Sequence, residues 1–433
     1  MFFGWRVVAG SFVCMMLVLG FFSYTFSLFV VPLREEFGVG LEQVMYSLTL
    51  GTLLSLLVGP IAGYLIDHLS VRLLMTLGML LFAASLFTMS RTATITQFNL
   101  VFGFSFALVT GMAGPVATSA AVSRWFVRSR GRALGIMTIG SSAGGMLLPA
   151  IAAGWINSVG WRAAIVNLGL MALLAIPWVW LNIRSRPGEL GMEPDGDLPA
   201  AAAVDGAAAE KLAVQSAALG ADSAARAVDA APLQPAAPGM AKILRSGDFW
   251  LIGLSVGLLV AVFSATLSNL SPYATGLGAS NAEASTLIMV LAIHGLIGKL
   301  LFGAGADRFP LKWGMWAAQG LLVVALLIFS AEPPYYLMMA GAVCMGLATG
   351  GLLPVWNSMT AQVFGVDSYG RAMGLMGPVI TLLVMPAYLF VGRMHDALGN
   401  YVLTLWVFVA LMVLAILLLI PLHLPRHAAG NAD

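Results

Sequence analysis

The sequence predicts an all-α membrane protein with twelve transmembrane helices in two six-helix pseudo-repeats. Three observations predict it. Charge is scarce: of 433 residues only 9% are Asp, Glu, Lys or Arg, while 60% are hydrophobic and the mean hydropathy is +0.93; soluble domains run near a quarter charged. Apolar stretches long enough to cross hydrocarbon as a helix, about 20 residues each, recur along the chain. Short motifs of the first half return in the second at an offset of 239 or 240 residues. The same composition excludes a soluble enzyme, and a net charge of +2 is too small to imply a nucleic-acid partner. Cys14 and Cys344 both lie inside apolar runs, so they form no secreted disulfide framework.

The apolar stretches fall at roughly 7–32, 43–66, 71–90, 96–122, 131–157, 162–183, 248–273, 284–306, 311–330, 335–362, 370–393 and 401–424. The first is too long for a signal-peptide core and lacks a small-residue cleavage pattern, so it is expected to be retained. Positive charge orients the set. With the N-terminus inside, the opposite face receives Arg34, Arg91, Arg162 and Arg393, and Lys299 lies within a helix. All other Lys and Arg fall on the inner side, four of them in the short loop 123–132. Both termini are therefore expected in the cytoplasm, in a cell membrane of the bacterial inner-membrane kind. Between the halves, residues 185–245 turn Ala-rich with scattered Asp, Gln and Pro and have no amphipathic face to bury. The expected organisation is a bundle over 1–184, a mobile cytoplasmic linker over 185–245 and a second bundle over 246–433.

Gly63, Asp67 and Arg72 at the end of the second stretch are matched by Gly303, Asp307 and Lys312 at the end of the eighth. Gly131-Arg132-Ala133-Leu134-Gly135 returns as Gly370-Arg371-Ala372-Met373-Gly374, and Pro115 and Ser119 return as Pro354 and Ser358. Several matches at nearly the same displacement indicate duplication, and parallel six-helix repeats place a substrate site near the midplane between the halves. Glycines four apart (59/63, 131/135, 140/144, 253/257, 346/350 and 370/374) remove bulk from one helix face and allow close approach. Asp67 and Asp307 sit at helix ends where each carboxylate can cap a neighbouring helix and pair with Arg72 or Lys312, a candidate gate latch. Arg132 and Arg371, at matched positions, join Gly63 and Gly303 as conformational candidates.

These motifs resemble those of the major facilitator superfamily over essentially the whole chain, although Ser70 and Pro310 replace the usual second glycine of its loop motif. Within the superfamily, Trp125-Phe126-Val127-Arg128-Ser129-Arg130-Gly131-Arg132-Ala133-Leu134-Gly135, Gly160-Trp161-Arg162 and Phe3-Gly4-Trp5 resemble the monocarboxylate transporter and oxalate/formate antiporter branch. The acidic residue of the animal N-terminal signature and the aromatic before the fourth-helix proline are missing here. The resemblance implies the major facilitator fold and transport of a small organic anion.

All Asp and Glu lie in loops, in the linker or at helix ends. An ionisable residue inside the membrane is costly and marks function, which singles out Lys299 and His294 on the eighth stretch. Lys299 lies about 12 Å along the helix from Asp307; anion binding competes there with snorkelling to the interface. By resemblance, Lys299 falls where the branch carries an arginine that binds the substrate carboxylate, four residues before Gly303, and the branch's partner aspartate is Gly295 here. His294 is either a hydrogen-bonded packing residue or a proton site. Tyr24, Asn269, Tyr273, Trp356, Asn357 and Tyr388 can line a cavity or simply pack. Gly298-Lys299 lacks the remainder of a nucleotide-binding loop, and no metal or hydrolase motif is present. Neither an enzyme nor a cofactor is expected.

The expected function is alternating-access secondary transport of a small organic anion, most simply a monocarboxylate, coupled to a proton or to a counter-anion. The rivals are an efflux carrier for amphiphilic drugs and a non-transporting membrane sensor on the same fold. Besides substrate and coupling ion, the partners expected are bilayer lipids, with a monomeric protein and no nucleic acid.

Overall fold

Uninterrupted apolar sequence leaves the backbone no water to bond with, so each crossing must satisfy its own amides within a helix. The computed structural model describes residues 2–196, 240–306 and 310–422, and every regular element among them is helical. Twelve spans result. The first runs Gly4–Phe37, the second Leu41–His68, the third Val71–Met89 and the fourth Ile95–Ser123. One continuous run, Arg130–Asn182, holds the fifth and sixth, divided at Gly160. The seventh is Gly247–Ser268, continued after a break by Leu270–Gly276. The eighth is Asn281–Ala306, the ninth Leu311–Ser330, the tenth Tyr335–Phe364, the eleventh Val366–Leu398 and the twelfth Val402–Leu418. The expected spans are all present, with one change of kind. The first is longer than its apolar run and passes through a π-helical turn, Gly20–Thr25, and a 3-10 turn, Phe26–Phe29.

Gly160 has φ +81° and ψ 163°, a conformation closed to side-chain-bearing residues, and it reverses the chain between spans five and six. The two residues after it close that corner. Trp161 donates its indole N–H to Glu36, and Arg162 bonds Glu36 at 2.8 Å, Ser90 O at 2.6 Å and Thr92 O at 2.8 Å. The Gly-Trp-Arg motif thus ties the first, third and sixth spans together at the face opposite the termini, here called the far face.

The other sequence signatures meet at the terminal face. Phe2 and Phe3 pack on Trp125 with ring centroids 5.8 and 5.4 Å apart, and Trp5 packs edge-on against Phe126 at 5.0 Å. A Cβ on Gly4 would lie 2.9 Å from the Phe126 ring. Two motifs separated by 120 residues are therefore one aromatic cluster.

The expectation of a mobile linker beginning at residue 185 is corrected at its described edges. Residues 187–190 and 194–196 form 3-10 turns, and 240–244 is helical. Asp195 accepts from the Val127 and Arg128 amides at 2.8 and 2.7 Å and from the Ser129 hydroxyl at 2.8 Å, while its own amide bonds Trp125 O. Partial burial pushes the Asp195 carboxyl up, but those hydrogen bonds outweigh it and hold the group at about 2. Composition alone cannot show that one carboxylate will cap a distant loop. Residues 197–239 lie outside the described residues.

Across the halves, the second span packs on the eleventh and the fifth on the eighth. The far face is where they lock. Glu42 pairs with Arg393 at 2.7 Å, Asp396 accepts from the Leu41 and Glu42 amides at 2.8 and 2.9 Å, and Asn281 bonds Asn157 at 2.8 Å. Asp396 from the second half thereby caps the N-terminus of a helix in the first. The glycine expectation is corrected in part. A Cβ at Gly140, Gly144, Gly257, Gly346 or Gly350 would collide with a neighbouring helix, but one at Gly59, Gly63, Gly131, Gly135, Gly370 or Gly374 meets nothing within 4 Å. The latter six lie toward the terminal face, away from the locked end.

Candidate substrate site between the halves

The eighth and tenth spans approach so closely that a Cβ at Gly350 would lie 2.6 Å from the Lys299 amide nitrogen, and one at Gly298 would lie 2.6 Å from Leu347 O. That contact fixes the Lys299 backbone and turns its side chain away from the tenth span. The ammonium crosses to the fifth span, where it donates to Ser142 Oγ at 3.0 Å, Ser141 Oγ at 3.3 Å and Thr138 O at 3.4 Å. An ammonium carries three donors, and three oxygens of the other half receive them. Among the described residues no carboxylate pairs with it. The charge is solvated but not neutralised.

Tyr24 belongs to the same place. The π-helical turn Gly20–Thr25 inserts an extra residue into the first span, a feature frequent at functional sites, and Thr25 Oγ1 bonds Gly20 O at 2.8 Å within it. The Tyr24 ring lies over Gly145, where a Cβ would be 2.8 Å from both Tyr24 Cδ1 and Ala292 Cβ. Spans one, five and eight therefore meet at Gly145, one turn from Ser141 and Ser142.

His294 points elsewhere. Its Nδ1 is hydrogen-bonded to Val290 O at 2.8 Å, and the carbonyl accepts. Its Cβ faces Gly346 of the tenth span. The remaining predicted lining residues are scattered. Asn269 sits at the break of the seventh span, its amide bonded to Ala265 O and Ser268 Oγ. Tyr273 is buried near the far face and donates to Phe329 O at 2.5 Å. Tyr388 is buried against Ser264. Trp356 donates to Met376 Sδ at 3.3 Å within the second half. Asn357 is half-buried on the tenth span, which stays helical through Pro354; the matched Pro115 instead follows a break at Gly114.

The expected pairing of Asp67 with Arg72 does not form. Asp67 meets Arg124 at 3.8 Å with its side chain 77% exposed. Arg72 donates to Trp180 O at 2.9 Å and stacks over that indole at 3.6 Å. Ser70, where the motif's second glycine is replaced, takes the capping position of the third span instead. Lys312 bonds Ile420 O at 2.6 Å and Leu422 O at 3.3 Å. Asp307 lies outside the described residues. Arg132 sits over the Trp5 ring at 5.7 Å, Arg371 is exposed, and Gly303, like Gly63, meets nothing within 4 Å. Thr138, Ser141 and Ser142 were not singled out from sequence. The signal available was a Ser-Ser pair between Gly140 and Gly144, small polar residues on a face already marked for close approach.

The sequence model of the Major Facilitator Superfamily matches residues 11–292 and 254–432. The chain belongs to that superfamily. The transporter is 24% identical over 430 residues to monocarboxylate transporter 12 of Rattus norvegicus, covering 92% of this chain and 81% of the relative. It is 27% identical to riboflavin transporter RibJ of Trypanosoma cruzi over 171 residues, 38% of this chain and 35% of the relative. Its fold resembles a crystal structure of a D-xylose–proton symporter, with a TM-score of 0.72 and 14% identity, covering 96% of this chain and 97% of the other. A bacterial homologue of the human lysosomal transporter Spinster, inward-facing and occupied, aligns over 96% of this chain and 95% of its own with a TM-score of 0.66 and 14% identity. It is thus a multi-pass membrane transporter whose near-full-length relatives include members of the monocarboxylate branch.

Proposed function

We propose that this transporter moves a small organic anion, of the monocarboxylate class, by alternating access between its halves. The observation that supports this reading is the Lys299 ammonium, hydrogen-bonded across the interface to Ser141, Ser142 and Thr138 with no carboxylate beside it among the described residues. A charge at helix centre costs about 2.5–3.5 kcal/mol on insertion scales, and hydroxyls offset only part of that. A substrate carboxylate would neutralise it at the contact of the two halves, binding and favouring closure in one step. Ser142 and Tyr24 would line the same path. The locked far face and the unoccupied glycine faces toward the termini fit one half of such a cycle, in which residues 1–184 and 246–433 rock as bodies.

Coupling is to a proton or to an exchanged anion. His294 is the proposed proton carrier. The drug-efflux reading would need an apolar central wall where this protein places an ammonium and two serines. Uptake of labelled lactate, pyruvate, oxalate and formate into proteoliposomes tests the proposal. Saturable uptake of one of them that Lys299→Gln weakens supports it, and wild-type transport of uncharged amphiphiles alone would refute it.

A further inference from the structure

A largely buried histidine stands beside the carboxylate that closes the far face. Asp396, on the eleventh span, holds the second span by accepting from the Leu41 amide through Oδ1 at 2.8 Å and from the Glu42 amide through Oδ2 at 2.9 Å. The neighbouring His395 puts its Nδ1 3.6 Å from that same Oδ1, too far for a hydrogen bond. Nδ1 is inaccessible to solvent and has no hydrogen-bond partner. The Tyr401 ring packs on the imidazole with centroids 4.6 Å apart. Arg34, at the end of the first span, lines one cavity of about 590 Å³ with His395 and Tyr401. It is close enough for its charge to act on both the imidazole and the phenol. Among the described residues it has no ion-pair partner. Buried polar groups in folded proteins are normally paired. An unpaired imidazole nitrogen and an unpaired cation beside a cross-interface cap put the lock under tension.

We propose that His395 is a proton-binding site whose occupation opens the far face. Neutral, the imidazole leaves the Asp396 cap undisturbed. Protonated, both ring nitrogens are donors, and the new charge acts on the lock in two ways. Nδ1–H takes Asp396 Oδ1 as its acceptor, drawing in by about 0.7 Å the oxygen that holds the Leu41 amide. That pull lies within the eleventh span, so it competes with the bond between the halves. The charge also faces Arg34, which belongs to the first half, and like charges repel across the interface. The other charged and titratable groups around the site do not reverse the sign. Glu42 is paired with Arg393 at 2.7 Å, and Tyr273 donates to Phe329 O. Glu35 and Glu332 line the same cavity but are exposed, where salt and water screen them. The proton arrives from solvent through the cavity and acts on the gate. It is not carried across, which separates this site from His294.

The test uses the full chain in lipid nanodiscs, with Cys14 and Cys344 replaced by alanine and spin labels on Val159→Cys and Leu398→Cys. Both positions are exposed at the far face, one in each half. The distance between the labels is read by double electron–electron resonance. In this labelled parent it is expected to lengthen as the pH falls from about 8 to about 5, the range in which an imidazole titrates. His395→Gln should keep the short distance throughout, and His395→Asn repeats the reading where glutamine is not tolerated. Asp396→Asn should show the long distance at every pH, because the cap itself is weakened. A parent distance that is unchanged or shorter in acid overturns the proposal. So does an acid response that survives in the His395 variants, and a response that His294→Gln removes instead assigns the proton to the eighth span.

Discussion

At the scale of single residues, the proposed anion site rests on Lys299. Its ammonium has three acceptors and no counter-charge among the described residues, so the interaction left open to it is with an anion. Lys299→Gln is expected to weaken binding of the proposed anion substrate by roughly 10- to 100-fold, the loss of one charge-assisted hydrogen bond at about 1.5–3 kcal/mol, with membrane abundance unchanged. Lys299→Arg is expected to keep part of the uptake, since the charge remains while its geometry changes from a point to a fork. Equilibrium binding and initial uptake rates measure both. Asp195 is a second single-residue case, and its sign is opposite to that of a base. Its carboxyl is depressed from an ordinary 3.8 to about 2 in the folded protein. Its contribution is therefore present above about pH 4 and is lost as the pH falls toward 2. Hydrogen exchange at the Val127 and Arg128 amides should speed up in Asp195→Asn at pH 7; equal protection in variant and wild type would show that the clasp holds nothing.

At the scale of elements, close approach and capping determine what moves. Gly144 lies so near the first span that a Cβ would come within 2.8 Å of Gly20 Cα and collide with the Met16 carbonyl. Gly144→Ala should therefore destabilise the first half by about 1–3 kcal/mol, read as a lower unfolding midpoint. It should also displace the π-helical turn that carries Tyr24. The far-face lock depends on side chains rather than on absent ones. Asp396 caps the second span across the interface, and Arg393 pairs with Glu42 beside it. Asp396→Asn combined with Arg393→Gln should raise the labelling of a cysteine placed in the far-face cleft. Labelling that stays at the wild-type level would mean that packing alone, including Gly392 against the Glu42 backbone, keeps that face shut.

At the scale of the whole molecule, two bundles joined by a long connection need the connection only to stay attached. Deleting about residues 198–238 removes none of the described contacts, and the clasp at Asp195 and the helix Met240–Leu244 remain. Folding and transport are expected to survive if the shortened chain still spans the gap; loss of uptake at normal membrane abundance would count against that. What the sequence determined by itself was the number and order of the crossings and the superfamily. Those depend on local hydropathy over about 20 residues and on short motifs, and hydrocarbon leaves no alternative to a helix for such a run. Lys299 and Tyr24 were visible for the same reason, because polar residues are rare in apolar sequence. What only the tertiary structure decided was partnership. Lys299 finds Ser141 and Ser142, Asp396 finds the second span, Asp67 takes Arg124 rather than Arg72, and the aromatic signatures at residues 3–5 and 125–126 become one cluster. A hydrogen bond or ion pair joins atoms a few ångströms apart in space, and helices brought together by packing carry residues hundreds of positions apart into that range, a distance that no local pattern encodes.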